Sequence, residues 1–190
     1  MQIQRAFQTG STSTKIAVAL CIISATAFFV TRSLGDPQSK ADAMLSIGKQ
    51  IGDANIQLHN DTGCFASKPA VLFDKATASI AANNFCNRPL DGSWKGPYMA
   101  PFPIKSDGNL VANDISAEVT AALPNSINMN GRKKFFIRFN NVPKGVLKQA
   151  LIECNGDNEN QGDFQFDRCR TTVNLADDLP GDFEIVYSSI

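Results

Sequence analysis

The side chains able to do chemistry are few, and they are scattered. His59 is the only histidine in 190 residues. No Ser or Cys partner stands beside it at a spacing that a nucleophilic relay would use. It falls at a predicted helix end, where an exposed or capping role is expected. There is no Gly-rich phosphate loop and no H-E-x-x-H pair of ligands. Zinc needs close C-x-x-C pairs or several histidines, and the chain has neither. Calcium is the one ion with candidate ligands. Asp157, Glu159 and Asp163 lie in an acidic loop, but Arg168 stands where a calcium loop would close with glutamate. Asp177, Asp178 and Asp182 make a second acidic turn. Solvated turns are the simpler reading of both, so neither a metal nor a cofactor is expected, and the chain does not read as an enzyme.

The cysteines divide as one plus four. Cys21 lies in an apolar run and reads as a small hydrophobe. Cys64, Cys86, Cys154 and Cys169 follow it, and an even set of this kind reads as two disulfides in an oxidising compartment. Four cysteines allow three connectivities. The local pairs Cys64–Cys86 and Cys154–Cys169 are favoured because each closes a short loop. A loop near 15 residues is worth about 3 kcal/mol in the chain-entropy account.

Charge and composition narrow the partners. Eighteen basic residues balance 18 acidic ones, which is not the basic footprint of a nucleic-acid binder. Trp94 and Tyr98 sit in a turn-rich stretch with Pro89, Pro97, Pro101 and Pro103. Aromatics in such a loop usually pin it to the domain.

Three segments are expected to position these residues. Residues 1–10 read as a leader. Residues 11–34 read as an apolar helix built on Ile16, Val18, Leu20, Ile22, Ile23, Phe28, Phe29 and Val30. Its length of about 36 Å at 1.5 Å per residue is enough to span a bilayer. The rival reading is a secretory signal peptide cut after Ala25-Thr26-Ala27, leaving Phe28 as the first residue. Residues 35–190 read as the head. In it, Met44, Ile47, Ile51, Ala54 and Leu58 recur in steps of three and four, the pattern of an amphipathic helix. Asn60 to Gly63 end that helix.

Downstream, Pro69 to Ala82 and Ile115 to Leu123 read as short helices. Asn130-Gly131 is a hairpin turn leading into Arg132 to Phe139, where Phe135, Ile137 and Phe139 alternate onto one face. Pro143 opens a helix over 144–153. Phe164 to Val173 and Phe183 to Tyr187 read as further strands. The fold class expected is α+β: a long N-terminal helix, apolar then amphipathic, packed on an antiparallel sheet of about four strands.

This layout resembles the type IV pilins and pilin-like subunits. The resemblance rests on a leader ending in Gly10, an apolar helix continuing into an amphipathic one, and the exit His59-Asn60-Asp61-Thr62-Gly63-Cys64-Phe65. It rests also on the loop Trp94-Lys95-Gly96-Pro97-Tyr98. The run Phe136-Ile137-Arg138-Phe139-Asn140-Asn141-Val142-Pro143, before a helix carrying Cys154, is similar to the type IVb branch. The junction is atypical: Ser11 follows Gly10, and Lys15 stands where the family has glutamate. The resemblance implies cleavage between Gly10 and Ser11 by a prepilin peptidase and self-assembly into a filament by assembly machinery. It implies an inner-membrane anchor with a periplasmic head, then an extracellular pilus. Some pseudopilins hold calcium in such C-terminal loops. The alternatives are a pseudopilin of type II secretion or a monomeric periplasmic or extracellular binding protein. No nucleic-acid partner is expected.

Overall fold

Proline decides where the first helix begins. A computed structural model of the chain describes residues 35–123, 126–156, 161–177 and 179–190. Helix α1 is Pro37–Thr62. Proline fits a first helical turn because its missing N–H would go unused there, and it disfavours helical backbone at the residue before it. The buried side of α1 carries Ala41, Met44, Ile47, Ile51, Ala54 and Leu58. Two glycines share that side and let the sheet come close. A Cβ at Gly52 would lie 2.8 Å from Tyr187 Cβ, and one at Gly48 would lie 3.2 Å from Ile185 Cγ2. The helix ends where Gly63, at φ 73°, donates to the His59 carbonyl at 2.7 Å. That is the left-handed stop for which glycine is suited.

A six-stranded antiparallel sheet receives this helix. Its strands are β1 (Leu110–Val111), β2 (Thr120–Ala122), β3 (Ser126–Met129), β4 (Arg132–Val142), β5 (Cys169–Thr171) and β6 (Gly181–Ser189). The order is β1-β2-β4-β6-β5, and β3 pairs with the first half of β4. Alternation along β4 sends Phe135, Ile137 and Phe139 towards α1. There they form the core with Met44, Ile51, Leu58, Phe183 and Ile185. Helix α3, Lys144–Asn155, adds Val146, Leu147, Ala150 and Leu151. Disulfides join Cys64 to Cys86 and Cys154 to Cys169, with Cα atoms 5.8 and 6.0 Å apart.

The segment between α1 and β1 is pinned by polar contacts. Asp74 caps the one-turn helix α2, Lys75–Ala78, by accepting from the Ala76 and Thr77 amides at 3.0 and 3.1 Å. Trp94 Nε1 donates to the Val71 carbonyl at 2.9 Å, and Tyr98 stands edge-on to its ring. Gly96 fits between them because a Cβ there would meet Trp94 Cζ2 at 2.5 Å.

Several expectations need correction. The longest described helix begins at Pro37, so a helix with an apolar first half is not what the sheet carries. No described helix is long and apolar enough to cross a membrane. Residues 1–34 lie outside the described residues, including Gly10, Ser11 and the apolar positions Ile16, Val18, Leu20, Ile22, Ile23, Phe28, Phe29 and Val30. The sheet has six strands rather than about four. Pro69 to Ala82 breaks into short turns because Asp74 starts a new helix within it. Ile115 to Leu123 is not a helix: Thr120–Ala122 pair with β4 instead. The strand expected from Phe164 shrinks to Cys169–Thr171, because Asp163 and Asp167 fold the preceding residues into a turn.

Candidate functional site

The outer face of the sheet, away from α1, holds the candidate site. Its central part is closed by residues 161–168. Phe164 is buried on the Phe136 ring, with ring centroids 5.2 Å apart. Arg170 lies 4.2 Å over the Phe164 ring, within cation–π range. Beneath it Glu184 is fully buried. Its carboxylate accepts from Arg138 Nε at 2.8 Å, Arg138 Nη2 at 2.5 Å and Arg170 Nε at 2.5 Å. A buried charge needs such partners, and this one has them on both oxygens. Lys134 Nζ reaches over to the Phe164 carbonyl.

Beside this plug opens a groove of about 530 Å³. The hairpin tip supplies Met129, Asn130 and Arg132; the loop supplies Gln165 to Arg168; Lys134, Val186 and Ser189 make the floor. The Asp163–Asp167 turn sets the loop. Asp163 N donates to Asp167 Oδ2 at 2.8 Å, and Asp167 N donates back to the Asp163 carbonyl at 2.6 Å. This turn sends Phe164 inward and leaves Phe166 outward, 83% exposed. Arg132, Lys134 and Arg168 outnumber the one acid, Asp167, so the groove is cationic with an apolar projection. Arg132 and Arg168 hold no ion pair among the described residues.

The borders of the sheet differ from one another. Strand β1 is covered by residues 103–105: Val111 N donates to the Pro103 carbonyl at 2.9 Å and Ile104 bridges Leu110. Strand β5 is covered by Asn155, whose amide exchanges bonds of 2.8 and 3.0 Å with the Cys169 backbone, and by the Gln161 carbonyl on Thr171 N at 2.7 Å. Strand β3 has no such cover among the described residues.

The residues singled out from the sequence are not brought together. The His59 ring stacks on Phe65, with centroids 4.2 Å apart. Asp163 is spent on its turn, accepting from Gln165 N at 2.9 Å. Asp182 lies at the far end of β6, 4.0 Å from Arg138, and Asp177 is exposed in another turn. Asp157, Glu159 and Asp178 lie outside the described residues, and no group of three metal-ligating side chains occurs within the described ones. Trp94 and Tyr98 pin their loop. Tyr98 donates to Asp61 at 3.1 Å, and Lys95 pairs with the same carboxylate at 2.9 Å. The Lys95 ammonium holds the Asp61 carboxyl below the usual range against the opposing effect of burial, with the Tyr98 hydroxyl adding a smaller pull in the same direction as Lys95. Arg132, Phe166 and Arg168 carried no expected binding role: Arg132 and Phe166 read as strand residues and Arg168 as the residue standing where a calcium loop would need glutamate. The signal that could have found Phe166 was Asp163-x-x-x-Asp167, a turn pattern inside an apparent strand.

No family model and no solved structure matches the chain. A Caenorhabditis elegans protein named SWI/SNF chromatin-remodeling accessory subunit 1 is 28% identical over 130 residues, which is 58% of this chain and 29% of that protein. The chain therefore spans less than a third of this relative's length. These findings correct the pilin resemblance. The relative's name belongs to chromatin remodelling, and nothing found supports a pilus, a pseudopilus, a prepilin peptidase, self-assembly into a filament or a periplasmic binding protein. The inner-membrane and extracellular placement rested on that resemblance and falls with it; among the described residues no helix is long and apolar enough to cross a membrane. What the chain is similar to is a stretch of an accessory subunit.

Proposed function

We propose that this chain is a non-catalytic binding subunit of a larger protein assembly, and that it docks a partner protein through the groove of Met129, Arg132, Phe166 and Arg168. The observation that carries this is Phe166, 83% exposed beside two arginines without ion pairs among the described residues. Aromatic and arginine side chains supply much of the energy at protein interfaces, and an exposed apolar group rimmed by charge marks such surfaces. The chain is not an enzyme, and the relative's name is that of an accessory subunit. The reading takes from that name only the accessory role. Two disulfides favour an oxidising environment, so chromatin itself is not carried over.

The test is native-state mass of the tagged full chain recovered from its own host. The wild type is expected in an assembly heavier than the lone chain. Phe166→Asp and Arg168→Glu should release it with an unchanged melting temperature, since both side chains are exposed. A wild-type chain recovered alone would contradict the reading.

A further inference from the structure

The open border of the sheet lies next to the groove, and Met129 belongs to both. The register fixes which backbone groups it offers. Asn130 and Gly131, at φ 52° and 76°, form a two-residue hairpin turn between Met129 and Arg132. In such a hairpin the flanking pair Met129↔Arg132 exchanges hydrogen bonds, and so does Ile127↔Lys134, two residues on. Ser126 and Asn128 therefore turn their N–H and C=O groups outward. Neither residue has another partner among the described residues.

Exposed sheet borders usually carry charge, proline or a bulge that prevents pairing. Ser126–Met129 carries none of these, and its register with β4 is unbroken. The other two borders are covered by the chain's own residues. Charge selects the occupant. Arg132 and Lys133 lie on β4 directly across from β3, one strand in from the position of an added strand, and as neighbours along β4 they belong to opposite faces of the sheet; Lys134 is already spent on the Phe164 carbonyl. Among the described residues the Lys133 ammonium makes only ring contacts, 5.4 Å from the Phe135 centroid and 6.0 Å from that of Phe85. Arg168 adds a further cation on the groove side. A second copy paired β3 to β3 would bring two such basic runs together, which disfavours it.

We infer that β3 accepts an extended acidic segment of a partner protein as an added strand, pairing with the backbone of Ser126 and Asn128 and bringing carboxylates within reach of the long Arg132 and Lys133 side chains across β3. This rests on the reading of the chain as a binding subunit. Backbone hydrogen bonds supply the pairing and alternate side chains the selectivity, as in other strand-addition modes.

The experiment selects a phage-displayed random octapeptide library on the full chain, then measures amide exchange with the selected peptide bound. The enriched sequences should be acidic and rich in β-branched or aromatic residues. Exchange at Ser126 and Asn128 should slow on binding. Arg132→Glu with Lys133→Glu should weaken affinity by at least about tenfold, the scale of lost charge-assisted contacts. Asn128→Pro, which removes an outward N–H, should abolish binding, while Asn128→Ala should retain it. Neutral or basic selected sequences, no enrichment, unchanged exchange at the two amides, or self-pairing of the chain along β3 would each overturn the inference. A peptide that needs Phe166 yet leaves both amides unchanged would sink strand addition while sparing the binding-subunit reading.

Discussion

Asn55 is the polar residue that joins the helix to the sheet. It is fully buried in α1, and its side chain makes three bonds. Its Oδ1 accepts from Ala66 N at 2.8 Å, and its Nδ2 donates to Tyr187 Oη at 2.8 Å and to the Ala66 carbonyl at 3.4 Å. Burial pushes the Tyr187 phenol well above its ordinary pKa, so this hydroxyl stays neutral. Asn55→Ala would strand the Ala66 amide away from water. The expected loss is about 1–3 kcal/mol in urea unfolding, the cost of an unsatisfied buried group; a loss near zero would mean that water replaces the side chain. Asp74 gives a pH-dependent case. Its carboxyl is held below the ordinary carboxylate value first by the Thr77 hydroxyl and then by the Ala76 amide, with burial opposing. A folded pKa below the unfolded one means that stability is present above the unfolded value and lost as pH falls through the folded one. Asp74→Ala should therefore destabilise the fold at neutral pH by about 0.5–2 kcal/mol, the worth of an N-cap, seen as a lowered melting temperature. The gap from wild type should close in acid below the ordinary value; a gap constant across pH would contradict the cap.

At the scale of elements, the contact of α1 with β6 depends on missing side chains. Gly52 is expected to behave opposite to its helix propensity. Alanine would gain about 1 kcal/mol in an isolated helix, but its Cβ would meet Tyr187 Cβ at 2.8 Å. Overpacking costs about 1–3 kcal/mol, so Gly52→Ala should lower the urea midpoint, and a raised midpoint would show that β6 yields. What could be read in advance follows the same logic of periodicity. Met44, Ile47, Ile51, Ala54 and Leu58 are legible because a helix buries steps of three and four, and all are buried. Phe135, Ile137 and Phe139 are legible because a strand buries every second residue, and they are buried as well. Strand β2 was not legible: three residues carry no measurable period, and they fall inside the stretch Ile115 to Leu123 that reads as a helix. The groove was not legible either. Arg132 and Phe166 meet only because residues 161–168 fold back over β4 and β6, a long-range event with no local pattern. The order of helix, loop and strands also invited the pilin resemblance, which order alone could not secure.

The unit from Pro37 to Ile190 is a two-layer scaffold with its polar groups satisfied inside and the candidate groove on one side. No buried side-chain N or O lacks a partner among the described residues. The inner sheet face is filled by α1 and α3, and the outer face is half closed by Phe164 over the Arg138–Glu184–Arg170 network. What remains open is the cationic groove and the β3 border beside it. The formal charge is balanced over the chain, so the basic character here is local and would act on a partner at short range. Raised salt should accordingly weaken partner binding while leaving the melting temperature nearly unchanged.

The central claim is that a partner protein covers Phe166. Site-specific photo-crosslinking in the native host tests it most directly, with benzoylphenylalanine at position 166 and, as control, at the exposed Lys49 of α1. The account predicts a discrete adduct from position 166, lost on Arg168→Glu, and none from position 49. No adduct at 166, or the same adducts from both positions, would contradict it.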